Sequence, residues 1–264
     1  MGLLRFKKKK IIGAALGSGG AKGMAHLGAL QALNESGVCI EAYAGTSAGS
    51  IVGALCANGY TPADIRQLLA HLDYKGLALS VLTAGSLRPA FAVLEDVMGE
   101  SEFSELKLPF AAGATDASTG EEIVLRSGSV TRAVLASSAM PPFFRGVEAD
   151  GRKLIDGAFS NAVPGDVARS LGADFVIGIA LSPVSSYCCG EWITTSGKRI
   201  AMRQTGFRGC DILLEPDLAA YAATDVFGGA RMYDIGYECA MRRMPEIMRL
   251  LREKSISGGI RGSF

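Results

Sequence analysis

Two short apolar runs, IIGAAL at residues 11–16 and VCIEAYA at 38–44, each pass straight into a glycine-rich turn and then into a helical pattern. That order constrains the fold more than any other feature, because strands joined through helices are laid side by side in parallel. The first turn, GSGGAKG at 17–23, leads to a helix ending near Ser36, with Met24, Leu27, Leu30 and Leu33 at helical spacing. The second, GTSAGS at 45–50, leads to a helix carrying Ile51, Val52 and Leu55 that stops near Gly59. Thr61, Pro62 and Asp64 then supply a cap, a first-turn proline and an acidic third position for a helix with Ile65, Leu68, Leu69 and Leu72 on its apolar face.

Residues 74–90 read as irregular, followed by a short helix in AFAVLEDVMG. Strands are expected at PFAAGATD and EEIVLRSG on either side of the turn ASTG, then a helix in SVTRAVLASSAM ending before Pro141 and Pro142. Asp150-Gly151 marks a hairpin between FRGVE and RKLI, and the second arm delivers Asp156 at its end. A helix near 164–171, strands at DFVIGIAL and DILLE, and a C-terminal helix through residue 253 complete an α/β pattern with a largely parallel sheet. Residues 183–210 are the least readable stretch and are expected to form a mobile surface loop. The reading is a basic N-terminal tail at 1–10, with Arg5 and Lys7 to Lys10, followed by one domain over 11–264.

Composition narrows the function classes. The 27 basic and 26 acidic residues leave a net charge of +1, so no global field favours nucleic acid as a partner. The six cysteines have no C-x-x-C spacing and the two histidines no ligand-like clustering, so neither a disulfide framework nor a zinc site is expected. No EF-hand-like run is present, and no cofactor or metal is expected. No apolar run approaches the roughly 20 residues of a membrane span, and a cytoplasmic protein is expected. Its oligomeric state is not readable.

The chemistry concentrates at Ser47. Gly45, Ser47 and Gly49 form G-x-S-x-G between a strand and a helix, the context of a nucleophile elbow. The loop at 17–23 also joins a strand to a helix, so its free amides could stabilise the oxyanion of an acyl-transfer intermediate. It is neither a dinucleotide fingerprint, because Lys22 takes the last glycine position, nor a P-loop, because Lys22 stands between Ala21 and Gly23. The base is harder to find. An α/β-hydrolase places its histidine after the serine and its acid, yet no histidine follows His71. His71 falls on the polar face of its helix, and His26 reads as a packing or hydrogen-bonding residue near the glycine loop. A carboxylate remains: Asp116, Asp156 and Asp211 all sit at strand ends or starts, and spacing does not choose between them. Asp156 is the best placed locally, uncrowded beside Gly157 and Ala158.

Several segments together resemble the patatin-like phospholipase family, in particular its short bacterial members. GSGGAKGMAHLGALQAL is similar to the family's glycine-rich oxyanion segment, GTSAGS to its serine motif and DGAFSNAVP to its aspartate motif; ATDASTGEEIVLRSG, ASSAMPPFF and ILLEPDL extend the likeness over roughly 12–240. The resemblance implies a three-layer α/β fold with a central, largely parallel sheet flanked by helices. It also implies a dyad of Ser47 as nucleophile and Asp156 as base, with an oxyanion hole from the amides around Gly19, Gly20, Ala21 and Lys22. Ser18 and Pro142 stand where the family more often has glycine, and Lys22 where it has arginine. The implied activity is hydrolysis of lipid acyl esters, of the phospholipase A or lysophospholipase type. A soluble esterase or thioesterase and a non-catalytic anion-binding regulator are the alternatives. The C-terminal helix, with Met241, Met244, Ile247, Met248 and Leu251 beside Arg242, Arg243, Arg249 and Arg252, is compatible with peripheral contact at an anionic membrane or with packing against the domain.

Overall fold

The computed structural model describes residues 9–70, 94–187, 190–193, 197, 199–202 and 204–256. Its strands in chain order are β1 (Ile12–Leu16), β2 (Ala42–Thr46), β3 (Phe110–Asp116), β4 (Glu122–Leu125), β5 (Val147–Ala149), β6 (Arg152–Asp156), β7 (Phe175–Ile179), β8 (Gly190–Ile193), β9 (Arg199–Met202) and β10 (Ile212–Leu214). The helices are α1 (Met24–Glu35), α2 (Ala48–Ala57), α3 (Pro62–Ala70), α4 (Val130–Ser137), α5 (Gly165–Ser170) and α6 (Gly229–Glu253), with a helical turn at 94–98. His71, Leu72, the stretch 74–90 and the basic residues Arg5, Lys7 and Lys8 lie outside the described residues.

An eight-stranded sheet runs β10-β7-β1-β2-β3-β6-β5, with β4 also on β3. Pairings from β10 through to β3 are parallel, and those of β4, β5 and β6 antiparallel. The parallel strands β1, β2 and β7 are buried along their whole length, as a sheet covered on both faces requires. Alternate residues supply the two faces. Ile12, Leu16, Phe175, Ile177 and Ile179 pack with Leu27, Val52, Ile65 and Ile247 from α1, α2, α3 and α6. Ala15, Ala44, Ala111 and Val176 face Val167 and Ala168 of α5. This second face is lined by small residues, and the chain packs closely on it: a Cβ at Gly13 would lie 3.7 Å from that of Ala168 in α5 and 2.7 Å from that of Ala173 just past the helix. The result is the sheet flanked by helices that the sequence implied.

Helices α1 and α6 also touch backbone to backbone. A Cβ at Gly28 would lie 1.9 Å from the Tyr233 carbonyl oxygen, and one at Gly236 would lie 2.1 Å from that of Ala25. The apolar residues Met244, Ile247 and Leu251 of α6 are spent on this packing and are buried. Arg242 and Arg249 pair with Glu238 and Glu253 of the same helix. Among the described residues no helix is long and apolar enough to cross a membrane.

The start of α3 forms as read: the Asp64 carboxylate accepts from the Thr61 amide at 2.9 Å, and the Thr61 hydroxyl accepts from the Asp64 amide at 3.2 Å. The expectation of a loop over 183–210 needs correction. There, β8 and β9 pair as an antiparallel hairpin with Glu191 opposite Ala201, between short 3-10 turns at Val184–Ser186 and Gly206–Gly209. Gly197, with φ of 80°, lies between the two arms and supplies a left-handed turn residue.

Candidate active site

Ser47 is the first residue past β2 and the residue before α2. Its backbone sits at φ 54°, ψ −123°, a conformation that costs a non-glycine residue roughly 1–3 kcal/mol. Its two flanking glycines are steric necessities. A Cβ at Gly45 would lie 2.3 Å from the Gly49 carbonyl oxygen, so the turn closes only over bare backbone. A Cβ at Gly49 would lie 2.1 Å from the Leu16 carbonyl oxygen, because α2 starts against the end of β1. The glycine loop is adjacent: a Cβ at Gly23 would be 3.1 Å from that of Ala48.

Strand β3 brings the carboxylate to the serine. Its first half pairs with β2, ending with Thr46 opposite Gly113; the same edge is then taken over by β6, which arrives from the other direction with Asp156 opposite Ala114. The two strands meet end to end, and the Ser47 hydroxyl donates to Asp156 Oδ2 at 2.7 Å. Asp156 Oδ1 accepts from the Ala158 amide at 2.8 Å. Gly157 must be bare, since a Cβ there would lie 2.2 Å from the Gly113 carbonyl oxygen. The Thr115 hydroxyl donates to the Asp156 carbonyl at 2.9 Å, and Gln204 bridges the Ala158 carbonyl and the Ala162 amide. Asp156 is 1% exposed and Ser47 8%. Burial raises the Asp156 pKa to about 6, against the lowering effect of the bonds from Ser47 and Ala158.

The other carboxylates serve elsewhere. Asp116 accepts from the Ser118 amide at 2.8 Å and faces Arg152 at 3.5 Å, as a turn residue. Asp211 ties Arg169, Lys254 and the Val176 amide together. His26 is fully buried, and its Nε2 lies 2.8 Å from the Gly17 carbonyl oxygen. Burial lowers its pKa to about 4, so at neutral pH it is an uncharged donor that braces the glycine loop.

Within that loop the amides divide. The Ala21 amide donates to the Ala223 carbonyl at 2.8 Å and the Lys22 amide to the Gly19 carbonyl at 3.2 Å. Those of Gly19 and Gly20 have no partner among the described residues, and Gly20, at φ 58°, is exposed. Three contributors to the site have roles that the sequence does not mark. Ala223 and Gln204 act from distant loops, and Ser137, whose Oγ accepts from the Ser47 amide at 2.9 Å, sits at the end of an ordinary amphipathic helix.

Comparison with known proteins gives the family of the chain and its fold. The family model described as patatin-like phospholipase matches residues 14–169. An NTE family protein of Mycobacterium tuberculosis is 34% identical over 179 residues, which cover 65% of this chain and 49% of that protein. Patatin-like phospholipase domain-containing protein 6 of Homo sapiens is 32% identical over 191 residues, 67% of this chain and 14% of that protein. The chain thus spans about half the length of the mycobacterial relative and a small part of the human one. Among solved structures, human GIVD cytosolic phospholipase A2 in complex with methyl γ-linolenyl fluorophosphonate and terbium chloride shares the fold, with a TM-score of 0.52 at 13% identity over 96% of this chain and 60% of that one. With its glycine loop, its serine elbow and a sheet that leads both strands to one point, the chain belongs to the patatin-like phospholipase family.

Proposed function

We propose that this protein hydrolyses carboxylic esters of lipids, with Ser47 as nucleophile and Asp156 as its base. The observation that carries the reading is the 2.7 Å hydrogen bond from the Ser47 hydroxyl to a buried carboxylate. Ser47 Oγ attacks the ester carbonyl carbon while its proton passes to Asp156 Oδ2. The carbonyl oxygen takes up the negative charge of the tetrahedral intermediate, and the amides of Gly19 and Gly20, the two of the four expected donors without a partner among the described residues, receive it. Collapse breaks the bond to the alcohol, which departs with the proton held by Asp156, leaving an acyl-serine. A water then attacks the acyl carbon, gives its proton to Asp156 and releases the fatty acid as the proton returns to Ser47.

No histidine is needed for this cycle. A carboxylate titrating at about 6 is ionised at neutral pH, yet it is a better proton acceptor than an ordinary aspartate at about 3.8. Family membership favours lipid acyl esters as the substrate class, and the head group and chain length are open to assay. The test is labelling with a fluorophosphonate probe, with mass-spectrometric detection of fatty acid released from phospholipid micelles. The wild-type protein is expected to be labelled at Ser47 and to release fatty acid, and Ser47→Ala to do neither. No labelling and no turnover of any ester would favour the anion-binding reading. Turnover confined to short, monomeric acyl esters would favour the soluble esterase.

A further inference from the structure

The Ser47 backbone is strained, yet its own amide is not held by either strand that flanks it. In the β2–β3 ladder, the Tyr43 amide donates to the Pro109 carbonyl at 2.9 Å, and the register continues to Thr46 opposite Gly113. Parallel ladders repeat their donors every second residue. Four residues further on, the partner of the Ser47 amide would therefore be the Gly113 carbonyl. The elbow has already turned away from β3 at that point, and the direct rung is not made.

The Ser137 hydroxyl stands in the gap. It accepts from the Ser47 amide at 2.9 Å and donates to the Gly113 carbonyl at 2.6 Å, and Ser137 is fully buried. Only a group that both accepts and donates can fill this place, and a hydroxyl is the smallest side-chain group that does so. The same Gly113 carbonyl abuts the bare Cα of Gly157, next to Asp156. One carbonyl thus faces both the serine's turn and the aspartate's.

We propose that Ser137 is a positioning residue: its hydroxyl replaces the missing rung between the nucleophile's amide and β3, and so holds the strained Ser47 with its Oγ on Asp156. The inference rests on the reading of Ser47 and Asp156 as the reacting pair and adds the group that aligns them. It also separates positioning from mere stability. Removing the hydroxyl frees the elbow to relax, which moves the nucleophile off its line of attack without altering the walls that bind substrate. The bond from Ser47 lowers the Asp156 pKa, so its loss shifts the acid limb of the rate profile to higher pH.

The experiment compares wild type, Ser137→Ala and Ser137→Thr at a temperature where circular dichroism shows all three folded. It measures ester hydrolysis against pH together with the rate of fluorophosphonate labelling. For Ser137→Ala, kcat and the labelling rate are expected to fall about ten- to a hundredfold with KM within about twofold of wild type. The acid limb is expected to move upward. Ser137→Thr keeps the hydroxyl and is expected to restore kcat and the position of that limb. A lower melting temperature with wild-type kcat and an unmoved acid limb in Ser137→Ala overturns the proposal. Should Ser137→Ala fail to fold, Ser137→Cys, whose sulfur makes longer and weaker hydrogen bonds, carries the same test: reduced kcat at constant KM supports the proposal and wild-type kcat overturns it. An inert wild-type protein sinks the hydrolase reading and this inference with it, whereas an active wild type matched by Ser137→Ala sinks this inference alone.

Discussion

Replacing Asp156 by asparagine separates what the carboxylate does for chemistry from what it costs the fold. In the folded protein the group titrates at about 6, against 3.8 for an ordinary aspartate, because it is buried. The folded state therefore binds this proton more tightly than the unfolded chain, and stability falls as pH rises between those two values. Below both, the carboxyl is neutral in either state and costs nothing; above both, the penalty is complete and constant. A difference of roughly two pKa units corresponds to about 3 kcal/mol. Asparagine keeps the oxygen that accepts from the Ala158 amide and has no proton to lose in this range. Hence the unfolding free energy of Asp156→Asn relative to wild type should rise by about 3 kcal/mol between pH 3.5 and pH 8. At pH 8 its ester hydrolysis should be about 10²- to 10⁴-fold below wild type, and the gap should narrow below pH 6 as the wild-type carboxylate takes up its proton. Urea unfolding of both proteins at several pH values gives the first quantity, since the difference cancels every group the two share, and initial rates give the second. A relative stability that moves by less than about 1 kcal/mol over this range would refute the desolvated carboxylate. Retained turnover would refute its role as base.

Two further outcomes follow from the same geometry. His26→Gln should leave the acid limb of the pH–rate profile near 6, because that limb belongs to Asp156 and His26 titrates at about 4; loss of the limb in this variant would move the base to the histidine. Gly28→Ala should lower stability by about 1–3 kcal/mol through overpacking against α6, where the added carbon would meet the Tyr233 carbonyl at 1.9 Å. Activity per folded molecule should be unchanged, measured by thermal unfolding alongside active-site titration.

The parts of this molecule that are local in sequence were legible in it. Apolar runs broken by glycine turns foretell β1, α1, β2 and α2, and the Thr61 to Asp64 pattern foretells the start of α3. Gly45 and Gly49 announce the elbow because the steric demand arises within a few residues of the serine. The carboxylate is different. Spacing cannot rank Asp116, Asp156 and Asp211, since the choice is made by the register of β6 on β3, a relation between strands far apart in the chain. Family resemblance supplied what periodicity could not. Ser137 lies in the segment ASSAMPPFF, but its role was invisible for a similar reason: a serine at a helix end has many ordinary uses, and only the interrupted β2–β3 ladder gives it a special one. The division of the loop amides was equally hidden, because the Ala21 amide is claimed by Ala223 from the other end of the chain. The β8–β9 hairpin did leave a trace, in a Ser-Gly pair between two short runs, but the polar residues around it disguised the pairing.

That β2 and β6 abut along a shared neighbour has a consequence for how such a protein can change over time. Ser47 and Asp156, the proposed reacting pair, are separated by 109 positions in the chain, yet their spacing is indexed by two consecutive residues of β3. Extra residues spliced into the turns around Ser118 or Ser127 leave that index untouched, so the loops at either end of β3 can lengthen without retuning the pair. A single residue removed from β6 does the reverse, turning the acid to the opposite side of the sheet.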